Sequence, residues 1–407
     1  MATQRKQIGI SIAALGVLAT AGVATGVAGI GGAAAVSAPL GAGTLDRVAA
    51  APTHKLAAGE GAAFAMTNAT KKNEIVRYRR AADGTLTRVG TTSTRGLGIG
   101  VDLDTQGPLR LSQDHKYLYG VNAGSDEVSV FRVNGTKLTF QQKVYAVDEP
   151  TSLTIHHNRL YVLDGSVASN SIRGFKRGND GKLKALKGSI QPLSSPIAVP
   201  GDIEFSPDGR LILVTEKTTA NTLSPAIALD AFKIDRNGVA GPAKRDRSHG
   251  VRPFSLGFNG NKQVLVAESF DASKERSAVS SYKVGGTKLA VNSGSMGNNQ
   301  TDTCWIVVTK NGRYAYTANF GSGTISSYQI AGDGKVTLQQ GAAATLPTGS
   351  QPVDLAQTDD SGYLYLLLRG AGTVAQFKIG PAGALVPIGT VKGGLPVADG
   401  ASGLAVY

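Results

Sequence analysis

Three carboxylates punctuate this chain at nearly equal intervals: Asp164, Glu216 and Glu268. Each closes a short apolar run (LYVLD, LILVTE, VLVAE), so each is carried into place by a segment that is itself built for burial. Asn68, Asn122, Asn319 and Arg369 close similar runs. A second set stands where such runs begin: Arg110, Asp202, Arg252, Asp302 and Asp354, with His249 just ahead of Arg252 in SHGVRPF. A carboxylate or imidazole beside an arginine makes an acid–base and anion-holding pair. Arg252 can grip a carboxylate through two parallel N–H donors. On residue type and position, Glu268, Glu216 and His249 are the candidates for catalysis. Arg252, Asp164, Asp302, Asn319 and Arg369 are the candidates for holding a substrate.

Other chemistries find less support. The H-E-x-x-H, C-x-x-C, Walker and G-x-S-x-G patterns are all missing. No loop is dense in oxygen ligands, so no cofactor is expected; a divalent cation held by the carboxylates and asparagines is the one option left open. Cys304 is the only cysteine, which rules out an intrachain disulfide. It sits in the run CWIVV, a place for packing rather than for an activated thiolate.

Residues this far apart meet only if a repeated element brings them together. One segment does recur: a small residue or Pro, two variable residues, an aliphatic, a turn, then a Tyr/Leu/Val-rich run. It begins at Pro108, Pro150, Pro200, Pro253, Thr303 and Pro352, and its aliphatic anchors are Leu111, Leu153, Ile203, Leu256, Ile306 and Leu355. The anchors lie roughly 42 to 53 residues apart, the repeat length of a β-propeller blade. A seventh copy, GASGLAVY, ends the chain after its first run, and AFAMTN (63–68) reads as the missing second run at the other terminus. The two ends are expected to complete one blade and so remove an exposed sheet edge.

The turn residues give the same count. Asp83-Gly84, Asn134-Gly135, Asp180-Gly181, Asn237-Gly238, Gly285-Gly286, Asp333-Gly334 and Pro381-Ala382-Gly383 each sit where a third strand would fold into a fourth. Asn-Gly and Asp-Gly accept the positive φ of a two-residue hairpin. The expected fold is therefore all-β: seven four-stranded antiparallel blades over 61–407. In that geometry the first carboxylate set rings the funnel where first strands start. His115, His156 and His157 fall in turns on the opposite face.

Ahead of the repeats, Arg5 and Lys6 precede an uncharged, Ala- and Gly-rich stretch. That order is a secretion signal over 1–38, cleaved near Ala35 or around Ala49-Ala50-Ala51, or else kept as a weak membrane anchor. Residues 39–60, with His54, read as a flexible linker. The expected location is the cell envelope or the medium. The formal charge of +13 suits contact with an anionic envelope polymer. The bases are scattered without interleaved aromatics, so no nucleic-acid partner is expected. The protein is expected to be a monomer.

Two stretches, FSPDGRLILVTE (205–216) and TKNGRYAYTANFGSGTISSYQI (309–330), resemble the lactonase-type seven-bladed propellers. That group comprises bacterial 6-phosphogluconolactonases, 3-carboxymuconate cyclases and related YVTN-repeat proteins, and Tyr316-Thr317-Ala318-Asn319 nearly matches the YVTN signature. The resemblance spans 61–407. It implies chemistry on a small cyclic ester, either hydrolysis of a lactone or its formation from a carboxymuconate-type acid, without a redox cofactor. The phosphogluconolactonase members carry G-P-R-H before the F-x-P-D-G stretch, where this chain has Val199-Pro200-Gly201-Asp202. They also end the next strand with an N-E pair; counted from Gly209, Glu216 falls one position early. Arg252 followed by VAES resembles the muconate-cyclase-like branch. The other reading is a non-catalytic propeller that holds an envelope polymer or a protein on its rim.

Overall fold

The structure is a computed structural model and describes residues 56–167, 169–219 and 224–407. Its sheets are seven, arranged as successive antiparallel blades. Blade one pairs Leu404–Val406 with Gly61–Met66, then Glu74–Arg80 and Leu86–Ser93. Ala63 faces Val406 and Ala65 faces Leu404, so the two ends of the repeat region close the ring as expected. The inner strands of blades two to seven are Leu109–Leu111, Pro150–His156, Val199–Phe205, Pro253–Phe258, Thr303–Val308 and Pro352–Gln357. Blade three departs from the pattern, because its outer edge is split into Leu183–Ala185 and Gln191–Pro192. The expected leader and most of the linker lie outside the described residues. Glu60, at the linker's end, pairs with Arg79 at 2.5 Å.

Apolar side chains alternate along the strands and pack between neighbouring blades. Leu364, Tyr365 and Leu366 of blade seven, for example, share one cluster with Trp305 of blade six and Val76 of blade one. A polar lock repeats on top of this packing. Tyr119, Tyr161, Tyr316 and Tyr365 each donate the hydroxyl to the carbonyl of the hairpin glycine of the next blade, Gly181, Gly238, Gly383 and Gly84. Tyr407 reaches Gly135 in the same way. Phenol and carbonyl are both buried, so losing either leaves its partner unmet. Tyr365→Phe is accordingly expected to lower unfolding free energy by about 1–2 kcal/mol. A urea midpoint equal to wild type would show that the hydroxyl locks nothing.

Four of the six hairpins expected as two-residue turns are longer, and the seventh, Pro381-Ala382-Gly383, is built like them. Gly84 bonds back to Ala81, and Gly181, Gly238, Gly334 and Gly383 repeat the pattern, each glycine at positive φ. A Cβ on Gly84 would lie 2.2 Å from the Tyr363 ring, so close packing as well as φ demands glycine there. Only Gly135 and Gly286 sit in two-residue loops, closed by the Asn134–Lys137 and Gly285–Lys288 pairs.

Candidate functional site

Five of the seven inner strands, those of blades three to seven, carry an irregularity near the start. Inner-strand carboxylates also bond to inner-strand N–H groups of the next blade. Asp202 accepts from Leu256 N at 3.0 Å, and Asp354 accepts from Leu404 N at 3.1 Å. Asp202 and Asp354, noted at the starts of their strands, are thus ties between blades. Within the channel Arg110 crosses from blade two to the Glu204 carboxylate of blade four, with Asp202 3.9 Å away. Burial, partly offset by Arg110, pushes the Asp354 carboxyl up to about 7. The channel opens on the opposite face as a cavity of about 520 Å³ bordered by Arg110, His115, Lys310 and Gln357. His115 lies there as expected, bonded to Asp359 at 3.1 Å and stacked on Tyr407.

The funnel face is occupied by a strap that sequence reasoning missed. Residues 94–108 leave the outer strand of blade one and cross the channel mouth before entering blade two. Gly98 N bonds Ala69 O, and Asn68 Nδ2 donates to Val101 O at 2.8 Å. Thr105 donates to Thr151 O of blade three, and Gln106 N to Gly201 O of blade four. Gln106 Oε1 accepts from Ile306 N, and Thr105 O accepts from the Trp305 indole, both of blade six. Asn68 is therefore a strap anchor.

The strap carries two carboxylates onto three cations. Lys217 Nζ donates to Asp104 Oδ2 at 2.5 Å and also to the Asp104 carbonyl. Arg252 stands 3.4 Å from the same carboxylate and 3.3 Å from Asp271. Arg369 meets Asp102 at 3.2 Å and Gln351 at 3.1 Å. Beneath the cations lie aromatic rings, with Lys217 4.6 Å from the centre of Phe254 and Arg369 5.2 Å from that of Phe320. Trp305 lies between those two rings. Lys217 is only 1% exposed, whereas Asp104 is 42% and Asp271 56%, so solvent reaches the cluster from the carboxylate side. Burial lowers the Lys217 ammonium pKa against the pull of Asp104. Burial likewise raises the Asp302 carboxyl, opposed by the Arg252 charge, while the Cys304 thiol contacts Asp302 at 3.3 Å. Cys304 is itself buried with its pKa raised by burial, an inert setting as expected.

The donors are not all used. Among the described residues, Nε of Arg252 and of Arg369 is buried without a hydrogen-bond partner. The backbone here is also strained. Arg252 and Asp302 have φ of 55° and 59°, and Phe270, Asp271 and Ala272 form a left-handed turn at φ 50–54°. Such residues cost about 1–3 kcal/mol each and persist only where the surroundings enforce them. Glu149 and Gln351 precede their inner strands in the same conformation, so the entry turn belongs to the fold. Among the described residues the turn at Asp271 belongs to blade five alone, and it aims a carboxylate at Arg252.

The expected catalytic set is placed otherwise. Glu216 and Glu268 are fully buried and bonded within their own part of the ring, so neither lines the funnel. Glu216 accepts from Ser194 and Ser195, and Glu268 from Gly250 N at 2.8 Å and Ser295 at 2.8 Å. Asp164 binds Ser166, and Asn319 binds Thr303, Thr324 and Ser326. Asn122 does the same with Asn73 and Ser129. The ring of strand ends is thus a repeated internal staple. His249 is exposed and meets Glu268 only through Ser295, 2.9 Å from its Nδ1. The Ser295 hydroxyl is directed to the glutamate, the reverse of a nucleophile activated by histidine. Of the expected binding residues, the structure gathers Arg252, Asp302 and Arg369, and it adds Lys217, Asp102, Asp104 and Asp271.

Glu216 makes a pH test possible. Burial first, then the neighbouring Asp230, pushes its carboxyl from 4.5 up to about 7. The folded state therefore holds this proton more tightly than the unfolded chain. The resulting stability is full below about pH 4.5 and is lost as pH rises through about 7. Glu216→Gln removes the titration, so wild type should lose about 2–3 kcal/mol more than the variant between about pH 4 and 8. Parallel slopes in urea unfolding would contradict this.

A family model described as lactonase, 7-bladed beta-propeller matches residues 62–200 and 269–354, more than half of the chain. The unmatched interval between them contains Asp202, Glu204, Lys217 and Arg252. No curated protein sequence matches. Among solved structures, a provisionally assigned 6-phosphogluconolactonase from Bacteroides fragilis aligns with TM-score 0.64 and 19% identity, covering 86% of this chain and 98% of that one. A similarly assigned protein from Bacteroides uniformis gives 0.65 and 16%, covering 86% and 100%. The periplasmic gluconolactonase of Pseudomonas aeruginosa gives 0.62 and 14%, covering 85% and 99%. At these identities the structures share the fold, and the family match adds the lineage: this chain belongs to the lactonase family of seven-bladed β-propellers.

Proposed function

We propose that this protein is an exported enzyme that opens a small, carboxylate-bearing lactone at the strapped mouth of its channel. The observation that carries the reading is the convergence of Lys217, Arg252 and Arg369 on two strap carboxylates, with Asp302 beside them and guanidinium donors left over. In this reading Arg369 holds the substrate's carboxylate. Arg252 faces the oxygen on which charge develops, and the buried Lys217 holds Asp104 beside it, in a site where burial strengthens the effect of both charges. Asp302 takes a proton from water as the water oxygen bonds to the carbonyl carbon. The ring C–O bond then breaks, and the departing oxygen receives that proton. Carboxymuconate-type cycloisomerisation would use the same cations to hold a dicarboxylate while one carboxylate oxygen adds across a double bond. The lactonase names of the structural neighbours support the ester chemistry. The basic-then-apolar start of the chain supports export, as does the periplasmic origin of one neighbour.

Asp302→Asn tests the proposed base. It is expected to lower kcat by about 10²–10⁴-fold while KM stays nearly unchanged, because the carboxylate acts on water rather than on the bound ester. A rise in KM at constant kcat would reduce Asp302 to a binding residue.

A further inference from the structure

On the face opposite the strap, the loops of blades four, five and six leave two grooves. One, of about 730 Å³, is bordered by Asn259, Lys262, Lys283, Asn292 and Arg313. The other, of about 440 Å³, is bordered by Arg210, Lys233 and Asn261. Val284 borders both, so the two lie side by side across three blades.

Charge in this double groove is one-sided. Arg210, Lys233, Lys262, Lys283 and Arg313 are all exposed, and only Asp208 and Asp333 oppose them among the lining residues. Both acids are engaged elsewhere. Asp208 accepts from Ser206 and from Arg210 N within its own turn, and Asp333 pairs with Lys335 at 3.4 Å. Among the described residues none of the five bases lies within ion-pair distance of a carboxylate. The larger groove is also rigid. Asn259 donates to Gln263 and to Gly312 O, Gln263 to Gly334 O, and Asn292 to Asp333 O at 3.0 Å. These amides cross-link blades five and six and set polar groups along the groove beside the cations.

An elongated groove with unpaired cations and side-chain amides selects a polymer that is both anionic and rich in hydroxyls. Among the described residues no aromatic side chain lines either groove, which removes the stacking platforms that single-stranded nucleic acids use. We propose that this double groove binds a linear acidic polysaccharide, whose uronate carboxylates pair with the five bases while its hydroxyls bond to the amides. The groove lies on the face away from the strap, so a chain held there would leave the funnel free.

The test is calorimetric titration of the full chain with polygalacturonate, with dextran and single-stranded DNA as comparisons. Wild type should bind polygalacturonate, less tightly as salt rises, and should bind neither comparison as well. The triple variant Lys262→Glu, Lys283→Glu, Arg313→Glu should bind about tenfold or more weakly, as expected when local charge is inverted. Reversing Lys176, Lys184 and Lys187 of blade three, an equal change in net charge elsewhere, should alter affinity by less than about twofold. Equal losses in the two variants, equal or tighter binding of DNA, or no binding of polygalacturonate would each overturn the proposal. Lactone turnover by the groove variant reads the funnel separately, so the two proposals can fail independently.

Discussion

Replacing Lys217 with methionine is expected to lower kcat/KM for a carboxylated lactone by about 10²–10³-fold, because Asp104 then draws on Arg252 alone and weakens the donor aimed at the developing oxyanion. Methionine keeps much of the side-chain length and remains compatible with the Phe254 ring beneath it. The carboxylate left behind, Asp104, is 42% exposed and stays hydrated. The variant should therefore fold, and its loss should fall mainly on kcat. A simple strap anchor would behave differently, lowering the melting temperature while a lactone was still turned over. Wild-type kcat/KM in a stable Lys217→Met protein would place the chemistry elsewhere.

Deleting residues 401–407 should have the largest effect on stability. The deletion removes Leu404, Ala405 and Val406, each at most 8% exposed, and leaves Gly61–Met66, now wholly buried, as an open sheet edge. Two buried aliphatic side chains at about 1.5–3 kcal/mol each, before counting the ladder, put the loss near 5 kcal/mol or more. Asp354 also loses the Leu404 N–H, and Arg80 loses the Tyr407 carbonyl. An unpaired apolar edge invites pairing with another chain. The truncated protein is expected to melt far lower and to aggregate with concentration in size-exclusion chromatography. A monomer melting within a few degrees of wild type would mean that ring closure carries little of the stability.

The blade count and the closure were legible because they depend on local chemistry: an aliphatic anchor, an apolar second strand and a hairpin glycine in each repeat. The strap was not legible. Residues 94–107 carry no repeat signal of their own, and their partners lie across the ring, with Asp104 meeting Lys217 and Thr105 meeting Trp305. Lys217 was hidden by period-two counting. A register shift between Glu216 and Thr218 turns it toward the mouth and leaves Glu216 inside the blade. By count from Gly209, Lys217 also stands where the resembling phosphogluconolactonases carry the glutamate of their N-E pair. Here that position carries a cation, which pairs with Asp104 of the strap. The ring of strand-end carboxylates was misread for a related reason. Blades six and two carry Asn319 and Asn122 at the positions of Glu268 and Glu216, which marks a shared structural staple rather than a shared chemistry.

The most direct test of the funnel as an anionic-lactone site is a comparison of wild-type kcat/KM for a γ-lactone bearing a carboxylate with that for unsubstituted γ-butyrolactone. Three cations at the mouth predict a preference of about a hundredfold or more for the charged ester, as expected when a buried charged hydrogen bond is gained. Equal turnover of the two esters, or no turnover of either by protein shown to be folded, would contradict the account.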